Sequence, residues 1–445
     1  MAELPLNSLA PFDASNPPRS VNFRRKPRHV ALFGNAPLIG RTTFAAHLQQ
    51  AALKVSPTSS YPNLIAFVHV SAWVREYLRD AKNKISEYRT YPPGKDGIFR
   101  IQSPEDGALT IAIAADWGTG TMESARVANN IDECHPHYTV HLGDVYYMGE
   151  EHEVSENCLG VNSNGYTGVY WARGTRGSFA LMGNHEMYSG GTAYYEKFLE
   201  KLGIGPPNTT PSEPQSASYF CLETEHWIIL GLDTGYHSGG FPLVTSVPLI
   251  NRISALNVNA QFDEKMMMWL EQTIQTLKQA GELKKPVLVL THHQPISSFE
   301  HAFAKPAKQL ADTGFLNGRE FVWLYGHEHR MTIYNKQRIA KTLTAYPRCI
   351  GHGGMPVSVT TVNSPDPKIL YYDPRKHPID NENQCTFVGY NGHVVLTFDR
   401  QAMKVEYCDI TDGKLLYSET FTPGLNNTLV RSDYKPADSP YISGL

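Results

Sequence analysis

The sequence has almost no net charge, no closely spaced pair of cysteines and no long apolar run, and each absence excludes a class of protein. The formal net charge is −3, so the overall charge does not indicate a nucleic acid or an anionic membrane as a partner. The six cysteines are scattered without a Cys-x-x-Cys motif, which favours free thiols over a disulfide framework. No apolar stretch approaches the ~20 residues that a membrane-spanning helix needs.

Two further signals are missing from the N-terminal part of the sequence. Met1–Pro5 lack the basic segment and apolar stretch of a secretory signal peptide, so we expect a cytoplasmic protein, or a secreted one if an export signal has been removed. Gly34–Thr42 invites comparison with a phosphate-binding loop, but its glycines are one residue too far apart and Arg41 stands where such loops carry lysine. We expect a strand-to-helix turn there and assign no nucleotide cofactor.

The residues that are present predict an α/β fold. Hydrophobic residues make up 41% of the chain and charged residues 19%, which is enough for a substantial core. Residues 1–100 predict a small α/β extension of unknown role, and Tyr91–Gly97 is a turn-rich linker near its end. Beyond it, apolar runs of strand length alternate with helical stretches such as Phe262–Ala280. We expect one main domain at residues 101–430 and a C-terminal tail at 431–445.

Five of the apolar runs end directly in residues that can bind a metal ion. The five runs, each followed by its candidate residues, are Leu109–Ala115 before Asp116, Tyr138–Leu142 before Gly143-Asp144, Phe179–Met182 before Gly183-Asn184-His185-Glu186, Val287–Leu290 before Thr291-His292-His293, and Phe321–Tyr325 before Gly326-His327-Glu328-His329. The carboxyl ends of buried strands face a crevice that commonly binds ligands. Oxygen and imidazole donors at five such ends predict a dinuclear metal centre, in which Asp144 can bridge two cations through its two oxygens.

In order, spacing and flanking strands, this set resembles the motifs of the calcineurin-like metallophosphoesterases, and specifically those of the purple acid phosphatase branch. The motifs are Asp116-x-Gly118, Gly143-Asp144-x-x-Tyr147, Gly183-Asn184-His185-Glu186, Val289-x-x-His292 and Gly326-His327-x-His329. The resemblance spans about Leu109 to Arg330. It implies a β-sandwich of βαβαβ units flanked by helices, and an enzyme that hydrolyses phosphoesters with two metal ions.

The assignment to this branch depends on a substitution in the first motif. Most of the superfamily has Asp-x-His there, and Gly118 replaces that metal-binding histidine. Tyr147 would restore a donor, because a phenolate suits a hard trivalent ion, which is Fe(III) in this family. The second metal would be Fe(II), Zn(II) or Mn(II), since an amide and two imidazoles suit a divalent ion. By resemblance the ligands are Asp116, Tyr147 and His329 at the first site, Asn184, His292 and His327 at the second, and Asp144 between them.

The resemblance also implies roles in catalysis. A metal-bound hydroxide would attack phosphorus, and His185, which binds no metal in the family pattern, would contact the phosphate and assist the leaving group. Glu186 would orient a neighbouring ligand. His301 follows His292 by nine residues, where plant relatives carry a pocket histidine, and it is a candidate substrate contact. His293 is a weaker candidate for the same role.

Three functions are compatible with these residues. The first is hydrolysis of phosphate monoesters by an acid phosphatase-like enzyme. The second is a phosphodiesterase or nucleotide pyrophosphohydrolase with the same metal centre, because the contacts that separate these activities lie in loops. The third is a scaffold that has kept the fold without activity; it predicts damaged ligands, whereas all seven ligand positions and His185 are present. The expected partner is a small-molecule phosphoester, and the oligomeric state is left open.

Overall fold

The computed structural model describes residues 85–105, 107–146, 148–162, 168–238, 260–359, 366–378 and 387–444. The predicted N-terminal extension up to residue 84 and the predicted ligand Tyr147 lie outside these residues. None of the described helices is long and apolar enough to cross a membrane.

The described chain consists mainly of short strands. In chain order the strands are β1 (Ile98–Arg100), β2 (Leu109–Ala114), β3 (Tyr138–His141), β4 (Gly177–Ala180), β5 (Gly203–Ile204), β6 (Glu213–Pro214), β7 (Phe220–Glu223), β8 (Ile228–Gly231), β9 (Val287–Thr291), β10 (Glu320–Tyr325), β11 (Met331–Tyr334), β12 (Gln337–Arg338), β13 (Thr344–Ile350), β14 (Ile369–Tyr372), β15 (His377–Pro378), β16 (Phe387–Val388), β17 (Gly392–Asp399), β18 (Ala402–Asp409), β19 (Leu415–Pro423), β20 (Leu429–Tyr434) and β21 (Ile442–Ser443). The α-helices are α1 (Met122–Glu133), α2 (Glu151–Asn157), α3 (Asn184–Met187), α4 (Glu264–Gln279) and α5 (Ala304–Asp312). A π-helical turn at Tyr194–Phe198 and 3-10 turns at Leu199–Lys201, Tyr236–Ser238, Glu282–Lys284 and Leu425–Asn427 complete the helical segments of these residues.

Two large sheets contain most of the strands. The first has the order β1-β7-β8-β9-β10-β13-β11-β14-β21, with β12 beside β13, and the second has the order β20-β19-β18-β17-β2-β3-β4-β5-β6. The central strands β8-β9-β10-β13 of the first sheet and β2-β3-β4 of the second are parallel within each group. Their carboxyl ends therefore lie at one edge of each sheet, and five of them, β2, β3, β4, β9 and β10, precede the candidate ligands.

The sheets pack face to face. Because side chains alternate along each strand, each strand contributes both to the core between the sheets and to an outer face. Ile111 and Ile113 of β2 join Leu288 and Leu290 of β9 in one buried apolar cluster between the sheets. The neighbouring Val289 points to a separate buried cluster on the outer face of the first sheet. Near-continuous apolar runs are expected for strands that are covered on both faces.

Helices cover the outer faces of the sandwich. Helix α4 buries Met266, Trp269 and Leu270 against the first sheet, and α1 buries Val127 and Ile131 against the second. Both helices begin at a side-chain cap, Asp263 for α4 and Thr121 for α1, which accepts a hydrogen bond from a backbone N–H of the first turn.

The predicted β-sandwich with flanking helices is confirmed, and the five predicted strands that end in candidate ligands are β2, β3, β4, β9 and β10. The predicted helix at Phe262–Ala280 is present as α4. The predicted domain limits stay predictions: β1 lies just before residue 101 and pairs with β7, and β20 spans residues on both sides of position 430.

Candidate metal centre

The loops that follow β2, β3 and β10 each hold a candidate ligand in a left-handed backbone conformation. The angle φ is +56° at Asp116, +74° at Asp144 and +65° at His327. This conformation costs a non-glycine residue roughly 1–2 kcal/mol, because its Cβ crowds the following carbonyl oxygen. Such strain concentrates at functional sites. Here it coincides with the three strand ends at which the sequence predicts metal ligands.

Glycine at position 143 allows three ligand-bearing loops to touch. Gly143 has φ of +93°, and a Cβ there would lie 2.6 Å from the backbone nitrogen of Gly183 and 2.9 Å from Nδ1 of His292. No larger residue fits without separating these loops. The close approach brings Asp144, Asn184 and His292 into one buried group.

Three predicted ligands of the second metal converge on one point. Oδ1 of Asn184 lies 3.1 Å from Nε2 of His292 and 2.9 Å from Nδ1 of His327. The side-chain amide of Asn184 donates to the hydroxyl of Tyr188 at 2.6 Å, which turns Oδ1 towards the two imidazoles. Nδ1 of His292 lies 2.8 Å from the carbonyl oxygen of Leu142, so it carries the proton and leaves Nε2 facing the site.

Two predicted ligands of the first metal meet beside a tyrosine. Nε2 of His329 lies 3.5 Å from Oδ1 of Asp116, whose other oxygen accepts a hydrogen bond from the backbone N–H of His327 at 2.8 Å. The hydroxyl of Tyr146 lies 3.0 Å from Oδ1 of Asp116 and 3.0 Å from Nε2 of His329. Burial and the charges of Asp116 and Asp144 raise the pKa of Tyr146. A cation beside the phenol oxygen would favour its ionised form.

Asp144 lies between the two groups of donors. Its Oδ1 is 3.3 Å from Nε2 of His292, and its Oδ2 is 3.0 Å from the hydroxyl of Tyr146. Burial would raise the pKa of Asp144, but His292, His185 and His327 outweigh it and hold the pKa well below its usual range. The carboxylate is therefore ionised, with one oxygen directed to each site. This arrangement and the surrounding oxygen and imidazole donors fit a pair of bridged metal ions.

His185 borders the centre without joining either group of donors. Its backbone N–H donates to Oδ1 of Asp144 at 3.1 Å, and its Nε2 lies 3.8 Å from Oδ2 of that residue. The ring packs between Tyr146 and Tyr188, with centroid distances of 4.3 and 4.8 Å. Oε2 of Glu186 accepts hydrogen bonds from the backbone nitrogens of Asp144 and Gly183, and this fixes the ligand-bearing turn that precedes His185.

His301 is not among the converging donors. It is exposed, and its ring contacts Phe303 at a centroid distance of 5.2 Å. Phe303 in turn lies 4.9 Å from His293 and 5.6 Å from His327. One aromatic ring thus separates His301 from the second site, and its contact with substrate stays a prediction.

Sequence reasoning missed two contributors to the centre. Tyr188 follows Asn184 by four residues, a spacing that places both on one side of a helical turn and so gives a usable signal. His293 is predicted from sequence only as a substrate contact. In the structure one of its ring nitrogens lies within 4.8 Å of a ring nitrogen of His292 and of His327. Its Nδ1 is 3.0 Å from Oγ1 of Thr234, and its Nε2 has no hydrogen-bond partner among the described residues. Nothing in the local sequence indicates the contact with Thr234.

Metal uptake is expected to release a proton from His292. Burial would lower the pKa of His292, but Asp144 outweighs burial and raises the pKa to about 10. The metal-free side chain is thus an imidazolium at pH 8 and must lose its proton to bind a cation, so apparent metal affinity should rise with pH up to about 10. Calorimetric titration with Zn²⁺ at pH 8 in two buffers of different ionisation enthalpy should show about one proton released from this group. Equal heats in both buffers and a pH-independent affinity would contradict this expectation.

Comparison with a protein-family model agrees with the fold. The family model described as calcineurin-like phosphoesterase matches residues 109–331, about half of the chain. No curated protein sequence matches the chain.

The solved structures that match the chain are distant in sequence. They include "GAP50 the anchor in the inner membrane complex of Plasmodium", at 13% identity and a TM-score of 0.45, covering 73% of this chain and 91% of that chain. PhoD matches at 12% identity and a TM-score of 0.42, covering 76% and 74%. A dimetal phosphatase from Danio rerio matches at 12% identity and a TM-score of 0.36, covering 70% and 99%. The family match includes all five strands whose ends carry the candidate ligands, and the chain belongs to the calcineurin-like phosphoesterase family.

Proposed function

We propose that this protein is a dinuclear metal-dependent hydrolase of phosphate monoesters, similar to the acid phosphatases. The observation that carries the proposal is the position of Asp144, a buried carboxylate with one oxygen directed to each of two groups of donors. A carboxylate that served only to stabilise the fold would need one cationic partner, not two separate sets of potential ligands. The adjacent His185 provides an imidazole that is not required as a ligand.

The donors suggest different metals at the two positions. The first group contains the carboxylate of Asp116, the shared Asp144 and a phenol, and hard oxygen donors of this kind favour Fe(III). The second contains the amide oxygen of Asn184 and the imidazoles of His292 and His327, which favour a divalent ion, Fe(II), Zn(II) or Mn(II). These identities are part of the proposal.

The two metal ions, when bound, would neutralise charge on the phosphoryl group and lower the pKa of a water molecule that serves as nucleophile. The protein supplies the positioning. Asn184 donates a hydrogen bond to the hydroxyl of Tyr188 and His292 donates one to the carbonyl oxygen of Leu142, so the donor atoms are held before substrate arrives. His185, held against the rings of Tyr146 and Tyr188, can donate a hydrogen bond to a phosphoryl oxygen and a proton to the leaving alkoxide.

The alternative is a phosphodiesterase or nucleotide pyrophosphohydrolase with the same metal centre. Comparing p-nitrophenyl phosphate with bis-p-nitrophenyl phosphate at equal concentrations tests the choice. We expect a kcat/KM at least about tenfold higher for the monoester, a difference of roughly 1.4 kcal/mol in transition-state stabilisation. A higher kcat/KM for the diester would replace the monoesterase proposal with the alternative. Protein that holds both metals but hydrolyses neither compound, nor nucleotide substrates, would support a non-catalytic scaffold.

A further inference from the structure

The hydroxyl of Tyr146 lies among the candidate donors of the first site. Its oxygen lies 3.0 Å from Oδ1 of Asp116, 3.0 Å from Oδ2 of Asp144 and 3.0 Å from Nε2 of His329. Donor atoms at right angles around a cation with bonds of about 2.1 Å lie about 3.0 Å from each other. Three distances of this size fit neighbouring donors around one cation as well as hydrogen bonds from a neutral phenol. Tyr146 is fully buried, as a ligand in a closed site would be.

The backbone explains why this tyrosine enters the site. Beyond the ends of β2 and β3 the two segments stay paired: the N–H of Gly118 donates to the carbonyl oxygen of Asp144 at 3.2 Å, and the N–H of Tyr146 donates to the carbonyl oxygen of Gly118 at 2.9 Å. Val145 forms an isolated parallel bridge with Gly118. Asp144 and Tyr146 are alternate residues around this bridge, and both side chains reach the first site.

The same pairing excludes a side chain at position 118. A Cβ on Gly118 would lie 2.9 Å from the carbonyl oxygen of Asp144 and 3.0 Å from Cα of Val145. A histidine there would push away the segment that carries Asp144 and Tyr146. The close contact between these loops therefore leaves no room for an imidazole at position 118. The same contact brings the phenol of Tyr146 to the first site.

A hydrogen bond from the second helix holds Tyr146 in place. The side-chain amide of Asn157, at the end of α2, donates to the carbonyl oxygen of Tyr146 at 2.9 Å. Asn157 is itself buried. The position of the phenol is therefore set by fixed backbone contacts on both sides and by the ring of His185 against its face.

We propose that Tyr146, rather than Tyr147, supplies the phenolate that binds the first metal. The proposal rests on the dinuclear centre proposed above. It differs from the family spacing, in which the tyrosine follows the aspartate by three residues, because Tyr146 follows Asp144 by two.

Two single variants of the full chain test the proposal through colour. A phenolate bound to Fe(III) gives a visible charge-transfer band, so wild-type protein reconstituted with iron should be purple or pink. We expect Tyr146→Phe to lose the band and Tyr147→Phe to keep it at wild-type intensity per bound iron. Iron content is measured for each protein, and circular dichroism checks that each variant is folded.

The outcomes separate this proposal from the proposed function. Loss of the band in Tyr147→Phe, survival of the band in Tyr146→Phe, or iron-loaded wild-type protein without a band would each overturn the assignment to Tyr146. Because Tyr147→Phe must keep its colour, the proposal is testable even if Tyr146→Phe does not fold. A coloured wild-type protein without phosphoesterase activity would overturn the proposed function and leave the ligand assignment intact.

Discussion

Replacing Asp144 with asparagine is expected to abolish metal pairing and nearly all activity. The substitution removes the charge and one of the two oxygens that are directed to the two sites. Metal content should fall from two ions per chain to one or fewer. Because the paired metals supply several kcal/mol of transition-state stabilisation, kcat/KM should fall by a factor of about 10³ or more. Metal analysis and phosphatase assays on the same preparation measure both effects.

The fold should survive this substitution. Asparagine tolerates a left-handed backbone better than most residues, so the φ of +74° at position 144 does not oppose it. Asp399→Asn, an exposed change at the end of β17, is the matched control and should keep two metals and full turnover. If Asp144→Asn retains both metals and wild-type turnover, the carboxylate does not bridge two metals.

His185→Ala should lower activity while leaving both metals bound. His185 is not among the candidate ligands of either metal. Its ring lies beside the shared carboxylate of Asp144, between two tyrosines. Loss of a general acid typically reduces the rate by about 10² to 10⁴. We expect kcat to fall within that range for p-nitrophenyl phosphate. The deficit should be larger for an alkyl phosphate, because its poorer leaving group depends more on protonation.

His226→Ala is the matched control for this experiment. His226 lies in the turn between β7 and β8, at the amino end of β8, whereas the candidate ligands follow the carboxyl ends of the parallel strands. It should retain wild-type kcat and metal content. Equal losses for the activated and alkyl substrates in His185→Ala would argue that the residue binds phosphate only. Loss of a metal ion would instead make it a ligand or a structural support.

Much of the fold, and the convergence of most of the candidate donors, was predictable from sequence. Apolar runs that are buried on both faces identify the central strands, since each lies between a helix layer and the opposite sheet. Donors at their carboxyl ends must share an edge once the strands are parallel. That reasoning requires no side-chain detail, and Asp116, Asn184 and His292 all lie in the group it predicts.

The remaining features depend on contacts that a sequence does not display. The entry of Tyr146 into the first site depends on the pairing of Val145 with Gly118, a contact between residues 27 positions apart. The orientation of the Asn184 amide depends on the hydroxyl of Tyr188, and family spacing gives no information about it. Short edge strands such as β1 and β21 are equally difficult to predict, because two or three residues carry no periodic signal.

The left-handed backbone at Asp116, Asp144 and His327 has a consequence for relatives of this protein. Folding alone would favour glycine at these positions, since glycine adopts the same angles without steric cost. A relative with glycine at all three could form the turns without this steric cost, but it would lack three side chains of the proposed metal centre. Residue identity at these three turns therefore separates members of the family that retained the chemistry from members that retained only the shape.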